Sequence, residues 1–261
     1  MKILVTNDDG IHADGLWILA KELKSIAQVV VAAPDREQSA IGTAVTLSHP
    51  LRVQKVKPIV PEIEAYSVQG TPGDSVILAL EKLVKNEIGL VISGINQGLN
   101  LGNDVLISGT VGAALQGYLR GFPTIAISVS PMDSLHLNDV AKVATLLAGR
   151  IHSNTLPANV FLNVNLPDLS MAEIKGVEVT RLARKSHIDT VEEGHDGKHQ
   201  YYWLVRQRTN KNSGEMTDIR AIEQGNISIT PLHAYLGNEP SLFTTDSIYS
   251  DLLQRLRENL R

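Results

Sequence analysis

Residues 2–34 read "KILVTNDDGIHADGLWILAKELKSIAQVVVAAP", and their periodicity decides the fold. Ile3, Leu4 and Val5 form a short apolar run of the kind that makes a buried strand. Leu16, Leu19, Leu23 and Ile26 then recur at helical spacing, and "QVVVAAP" (28–34) returns to a strand. The result is a β-α-β unit. Inside it lies an anomaly. Asp8 and Asp9 directly follow the apolar run, and adjacent carboxylates at the end of a buried strand need either open water or a cation.

Two more cycles follow. "TPGDSVILALEKLVKNE" (71–87) places Thr71, Pro72 and Asp74 in the order of an N-cap, a first-turn proline and an N3 acid, and leads into the strand "GLVIS" (89–93). "SGTVGAALQGYLRG" (108–121) leads into "TIAISVS" (124–130). A helical pattern at 137–154 then precedes the apolar strand "VFLNVNLP" (160–167). Strands alternating with helices imply a doubly wound, mostly parallel, Rossmann-like α/β sheet. Between the first two cycles, "LRVQKVK" and "AYSVQG" read as short strands forming a hairpin or a sheet extension.

The texture changes near Asp168. Residues 1–167 are expected to form the catalytic core. Residues 168–261 are expected to form a C-terminal region that joins it as one unit, with a protruding hairpin arm, a returning strand and a terminal helix. The polar stretch 184–199 between two strand-like runs suggests the arm, and "DSIYSDLLQRLRENLR" (246–261) the amphipathic helix. Such an arm is either a solvated loop or an oligomer contact.

Composition narrows the function. The chain has 261 residues, 24 Lys plus Arg against 28 Asp plus Glu, and a net charge of -4, so no general field draws it to nucleic acid or an anionic membrane. An anionic substrate must be captured locally. The absence of cysteine removes thiolate zinc sites and a cysteine nucleophile. The N-terminal apolar run is too short for a signal-peptide core and no later stretch suits a bilayer span, so a cytoplasmic protein is expected. Neither the dinucleotide "GxGxxG" nor the P-loop fingerprint is present.

In an open α/β sheet, ligands bind beyond the carboxyl ends of the strands. Three such ends carry polar residues: Asn7 to Gly10, then "DREQSAIG" (35–42) with Ser39, then "GINQGLNLGND" (94–104) with Asn96. Two carboxylates, a hydroxyl and an amide oxygen make a hard set suited to Mg²⁺, Mn²⁺ or Ca²⁺. The plainer alternative for "NDDG" is a solvated turn. A fourth piece, Ser108, Gly109 and Thr110, stands where a helix begins. It is either an ordinary N-cap or a phosphate cradle using free N–H groups and hydroxyls. His12 near the acids reads as an exposed turn residue, and the irregular spacing of His187, His195 and His199 argues against a metal site.

Two rivals also place acids after a first strand. An aspartyl-phosphate phosphatase needs its second acid two residues on, whereas here the acids are adjacent. A phosphorylated receiver switch needs a third aspartate after the central strand, where this chain has Asn96.

The blocks "ILVTNDDGIHADGL", "VVVAAPDREQSAIG", "GTPGDSV", "GLVISGINQGLNLGNDVLISGTVGAALQG", "FLNVNLP" and "TDIRAIEQGNISITPL" closely resemble the SurE family, the stationary-phase survival proteins that act as metal-dependent 5'/3'-nucleotidases. The resemblance implies one divalent ion per subunit, Mn²⁺ or Mg²⁺, held by Asp8, Asp9, Ser39 and Asn96. It implies a phosphate site using Asn96 and the turn Ser108, Gly109 and Thr110, with Asp8, Asp9 and Asn96 catalytic. It further implies hydrolysis of nucleoside monophosphates, activity on short polyphosphate, and a homodimer or homotetramer built through the C-terminal arm and terminal segment. Ile107 departs from the aromatic residue many members carry there.

Overall fold

A computed structural model describes residues 2–84, 88–131, 136–157, 159–184, 187–208 and 216–234. The expected terminal helix at 246–261 lies outside the described residues.

The strands are β1 (Lys2–Thr6), β2 (Gln28–Pro34), β3 (Arg52–Lys55), β4 (Glu64–Gln69), β5 (Ile88–Gln97), β6 (Thr124–Val129), β7 (Phe161–Leu166), β8 (Gly176–Val179), β9 (His187–His195), β10 (Gln200–Arg208) and β11 (Asn226–Pro231). The helices are α1 (Asp14–Leu23), α2 (Pro72–Leu78), α3 (Gly109–Tyr118), α4 (Leu137–His152) and α5 (Asp218–Glu223). Nine strands form one sheet in the order β3-β4-β2-β1-β5-β6-β7-β11-β8. From β4 to β7 every neighbouring pair is parallel, while β3 and β11 run antiparallel to β4 and β7. The expected doubly wound sheet is therefore present, with "LRVQKVK" and "AYSVQG" extending one edge.

Strand periodicity sorts the core into two layers. Ile3 and Val5 pack with Leu16, Leu19 and Leu23 of α1 and with Val140 and Ala144 of α4. Leu4 turns the other way, onto Val76 of α2 and Ala113 of α3. Helices thus cover both faces. Ile26 departs from the helical reading: α1 ends at Leu23 and Ile26 lies 43% exposed beyond it. The second helix follows its capping signal, with Thr71 Oγ1 accepting from the Asp74 N–H and Asp74 Oδ2 from the Thr71 N–H. It then widens into a π-helical turn at Ala79–Leu83.

Chain order marks one end of the sheet as a place for a ligand crevice. From β1 the chain moves to β2 on one side and later returns to β5 on the other, so the topological switch lies at the carboxyl end of β1, where crevices open in such sheets. The stretch around 184–199 is an antiparallel hairpin, β9 with β10, in a separate two-stranded sheet. Trp203 and Leu204 on it are largely exposed. No helix among the described residues is long and apolar enough to cross a membrane.

Candidate active site

The acidic pair sits at the mouth of the switch point. Asn7 closes the turn after β1 by bonding Gly10 twice: its Oδ1 accepts from the Gly10 N–H and its Nδ2 donates to the Gly10 carbonyl, both at 3.1 Å. Gly10 has φ +99°, and a Cβ there would lie 3.0 Å from the Arg36 carbonyl carbon, so the loop after β2 presses directly on this turn. Asp8 is buried and Asp9 half-buried. This is not the solvated turn that the residues alone leave open.

Three contacts tie the pair to its surroundings. The Gln38 N–H donates to the Asp8 carbonyl at 2.7 Å. Thr110 Oγ1 donates to Asp8 Oδ1 at 2.5 Å. Gly109 stands so near that a Cβ would fall 2.8 Å from Asp8 Cβ and 3.1 Å from the Gln38 carbonyl oxygen. The first turn of α3 therefore docks on the aspartate. Ser108 caps the helix, its Oγ accepting from the Val111 N–H at 3.1 Å. The N-cap reading of "SGT" is met at Ser108, while Thr110 is turned onto Asp8.

The electrostatics show a deficit of positive charge. Burial pushes the Asp8 carboxyl above its ordinary range, opposed by the Thr110 hydrogen bond. Burial, then the negative charges of Asp8 and Glu37, push Asp9 up to about 6. No group among the described residues pulls Asp9 the other way. Glu37, which sequence reasoning passes over, thus joins the acidic field. It accepts from Ser39 Oγ at 2.6 Å, and Ser39 itself is exposed.

Asn96 approaches from β5. The strand runs past the expected end at Ser93, with a register irregularity before Asn96 pairs opposite Ser128. Gly94 permits this, since at φ +140° a Cβ would meet the Ile127 carbonyl oxygen at 2.4 Å. Asn96 Nδ2 donates to the Gly98 carbonyl at 2.6 Å, leaving its Oδ1 without a partner among the described residues. The donors present fit a hard divalent cation: two carboxylates raised by desolvation, an unengaged amide oxygen and a hydroxyl oxygen with lone pairs to spare. No group of three or more His, Cys, Asp or Glu side chains suited to a metal occurs among the described residues, so Ser39 and Asn96 would have to complete the set. His12 is exposed, His195 Nδ1 accepts from the Gly197 N–H, and His199 faces Asp196, while the His187 side chain lies outside what is described.

A buried amide network holds the loop behind Asn96. The Asn100 N–H donates to Asn165 Oδ1, Asn100 Nδ2 donates to Ser128 Oγ, and the Asn100 carbonyl accepts from Asn163 and Asn165. Asp218 at the start of α5 accepts from the Gly102 N–H at 2.7 Å and the Ala183 N–H at 2.9 Å. The only sequence signal for the network is two asparagines two residues apart in an otherwise apolar strand, "FLNVNL", which puts both on one face.

Ile107 donates its N–H to Asp104 and accepts from the Gly42 N–H through backbone groups alone, so its side chain is not needed for that link between loops.

The family model "Survival protein SurE" matches residues 3–189. A "5'-nucleotidase SurE" of Dehalococcoides mccartyi is 53% identical over 98% of this chain and 98% of its own. One from Vibrio parahaemolyticus is 44% identical over 95% of this chain and 94% of its own. The crystal structure of the SurE protein from Aquifex aeolicus superposes with a TM-score of 0.81 at 34% identity, covering 96% of this chain and all of that one. With the matched model spanning every loop that meets at the acidic pair, the chain belongs to the SurE family.

Proposed function

We propose that the chain is a divalent-metal-dependent phosphomonoesterase that hydrolyses nucleoside 5'- and 3'-monophosphates to nucleoside and phosphate, with short inorganic polyphosphate as a further substrate. The names of its relatives support the nucleotidase reading. The observation that carries it is the bond from Thr110 to Asp8, which puts an uncompensated acidic pair against the first turn of a ten-residue helix.

Asp8, Asp9, Ser39 and Asn96 would hold one Mn²⁺ or Mg²⁺. When bound, the ion supplies Lewis-acid polarisation of the phosphoryl group and acidifies water. The chain's own residues do the rest. The Ser108 hydroxyl and the backbone N–H groups of Gly109 and Thr110 at the positive end of α3, with Asn96, offer hydrogen bonds to the equatorial phosphoryl oxygens, while the Thr110 hydroxyl holds Asp8. Asp9, the more open acid, orients the attacking water and takes its proton, with attack in line with the leaving oxygen. Ser39 is a ligand and not a nucleophile. The exposed apolar residues of the β9–β10 arm, Trp203 and Leu204, support a homodimer or homotetramer in which a second copy covers them.

The test is phosphate release from a panel of nucleoside monophosphates, with and without Mn²⁺ or Mg²⁺, for wild type and Asp9→Asn. Metal-dependent release that the substitution nearly abolishes is expected. No release from any member, or release unchanged by the substitution, sinks the reading.

A further inference from the structure

One cavity next to the acidic pair has the opposite charge. It encloses about 390 Å³ and is lined by Arg36, Gln38, His49, Arg52 and Gln69 among others. These come from three separate segments, namely the loop after β2, the loop before β3 with β3 itself, and the end of β4. The carboxylate beneath them, Asp74, is buried and already engaged. Its Oδ1 accepts from the Thr46 N–H, and its Oδ2 accepts from Thr46 Oγ1 and the Thr71 N–H. Besides Thr46 and Thr71, which engage Asp74, and Gly70, the lining residues are two arginines, a histidine and two glutamines. On a chain of net charge -4, such a concentration beside an acidic pair is a local anion trap.

Gln38 belongs to both sites. It lines the cavity, while its N–H bonds Asp8 and its carbonyl oxygen lies 3.1 Å from where a Gly109 Cβ would stand. The backbone of Arg36 meets the Gly10 turn on the same side. A substrate whose scissile phosphate sits on the first turn of α3 therefore has a cationic chamber within reach of a second anionic group.

We propose that this cavity is a subsite for a non-scissile phosphate, so that compounds with two phosphate groups bind in preference to monophosphates. The placement of the scissile group rests on the reading given under Proposed function. The second phosphate comes either from a bisphosphorylated nucleoside or from an inorganic phosphate chain. Arginine pairs with phosphate through two parallel N–H donors, and Arg52 is exposed, engaging only Gln69 Oε1 at 3.3 Å among the described residues, so it is available to a ligand.

Binding is measured by calorimetric titration of the full chain loaded with Ca²⁺, which offsets the acidic pair, with free phosphate assayed after each titration to show that the probes stayed intact. The probes are adenosine 3',5'-bisphosphate against adenosine 5'-monophosphate, and tripolyphosphate against phosphate. In wild type at least one two-phosphate probe is expected to bind about tenfold more tightly than its monophosphate counterpart. The pair showing the gain identifies the source of the second phosphate. Arg52→Gln, a change on the exposed side of an edge strand, is expected to remove the gain and leave monophosphate binding unaltered. If neither probe binds more tightly than its counterpart, or if the gain survives Arg52→Gln, the subsite does not exist. A gain found in a protein that releases no phosphate would reject the nucleotidase reading and retain the subsite.

Discussion

Gly109→Ala is the most direct perturbation of the junction between α3 and the acidic pair. The added methyl would stand 2.8 Å from Asp8 Cβ, 2.9 Å from Asp8 Oδ2 and 3.1 Å from the Gln38 carbonyl oxygen. Asp8 Cβ and the Gln38 carbonyl cannot swing aside, and Oδ2, though the end of a side chain, belongs to a carboxylate held through Oδ1. Asp8 is held by Thr110 and by the Gln38 N–H, and Gln38 is held in turn by Asp8. Overpacking of this kind costs about 1–3 kcal/mol, and the better helix propensity of alanine returns at most about 1 kcal/mol, so a net loss of about 1–2 kcal/mol is expected. Activity should suffer more, since shifting a reacting group by ~1 Å costs about a hundredfold. Gly149→Ala is the matched control. It lies inside α4 with nothing within 4 Å of a new Cβ, so it should stabilise by about 0.5–1 kcal/mol and leave turnover alone. Urea denaturation followed by circular dichroism, with phosphate release on the same preparations, reads both quantities. A Gly109→Ala protein as stable and active as wild type would refute the claim that α3 is docked rigidly on Asp8.

Two further perturbations separate charge from packing. Asp9, raised from 3.8 to about 6 in the folded chain, binds its proton more tightly folded than unfolded. Its contribution to stability is therefore fully present below about 3.8 and is lost as pH rises through about 6. Asp9→Asn should accordingly stabilise the chelated protein at pH 7 by on the order of 2 kcal/mol, and the benefit should vanish at pH 4; equal stability at both pH values would contradict it. Asn165→Leu leaves the buried Asn100 N–H without its acceptor and should cost about 1–3 kcal/mol in urea denaturation. An unchanged midpoint would show that Asn165 is not what holds the loop behind Asn96.

How far the sequence shows this site depends on the range of each interaction. Strand and helix periods are local, so β1, α1 and β2 are legible from 33 consecutive residues. The boundary at Ile26 fails because α1 stops one turn earlier, with Ile26 beyond its last core residue, Leu23. The boundary at Ser93 fails for a different reason. Gly94 looks like a strand terminator, yet it is the one residue type that can pass the Ile127 carbonyl and carry β5 on to Asn96. Contacts across 65 residues, such as Asn100 with Asn165, have no local period, and only the paired asparagines of β7 hint at them.

The acidic pair itself shows how position outweighs composition. "NDDG" is turn chemistry by residue type, and Asn7 and Gly10 do build a turn. What makes it more than a turn is that it lies at the strand where the chain reverses its winding, so that the loop after β2 and the first turn of α3 close on it from two sides. Desolvation then raises both carboxyls, and no cation among the described residues offsets them. A fold that buries two adjacent carboxyls where the loop after β2 and the first turn of α3 close on them accepts a desolvation cost that a solvated turn would avoid, and the divalent cation of the proposed function would offset it.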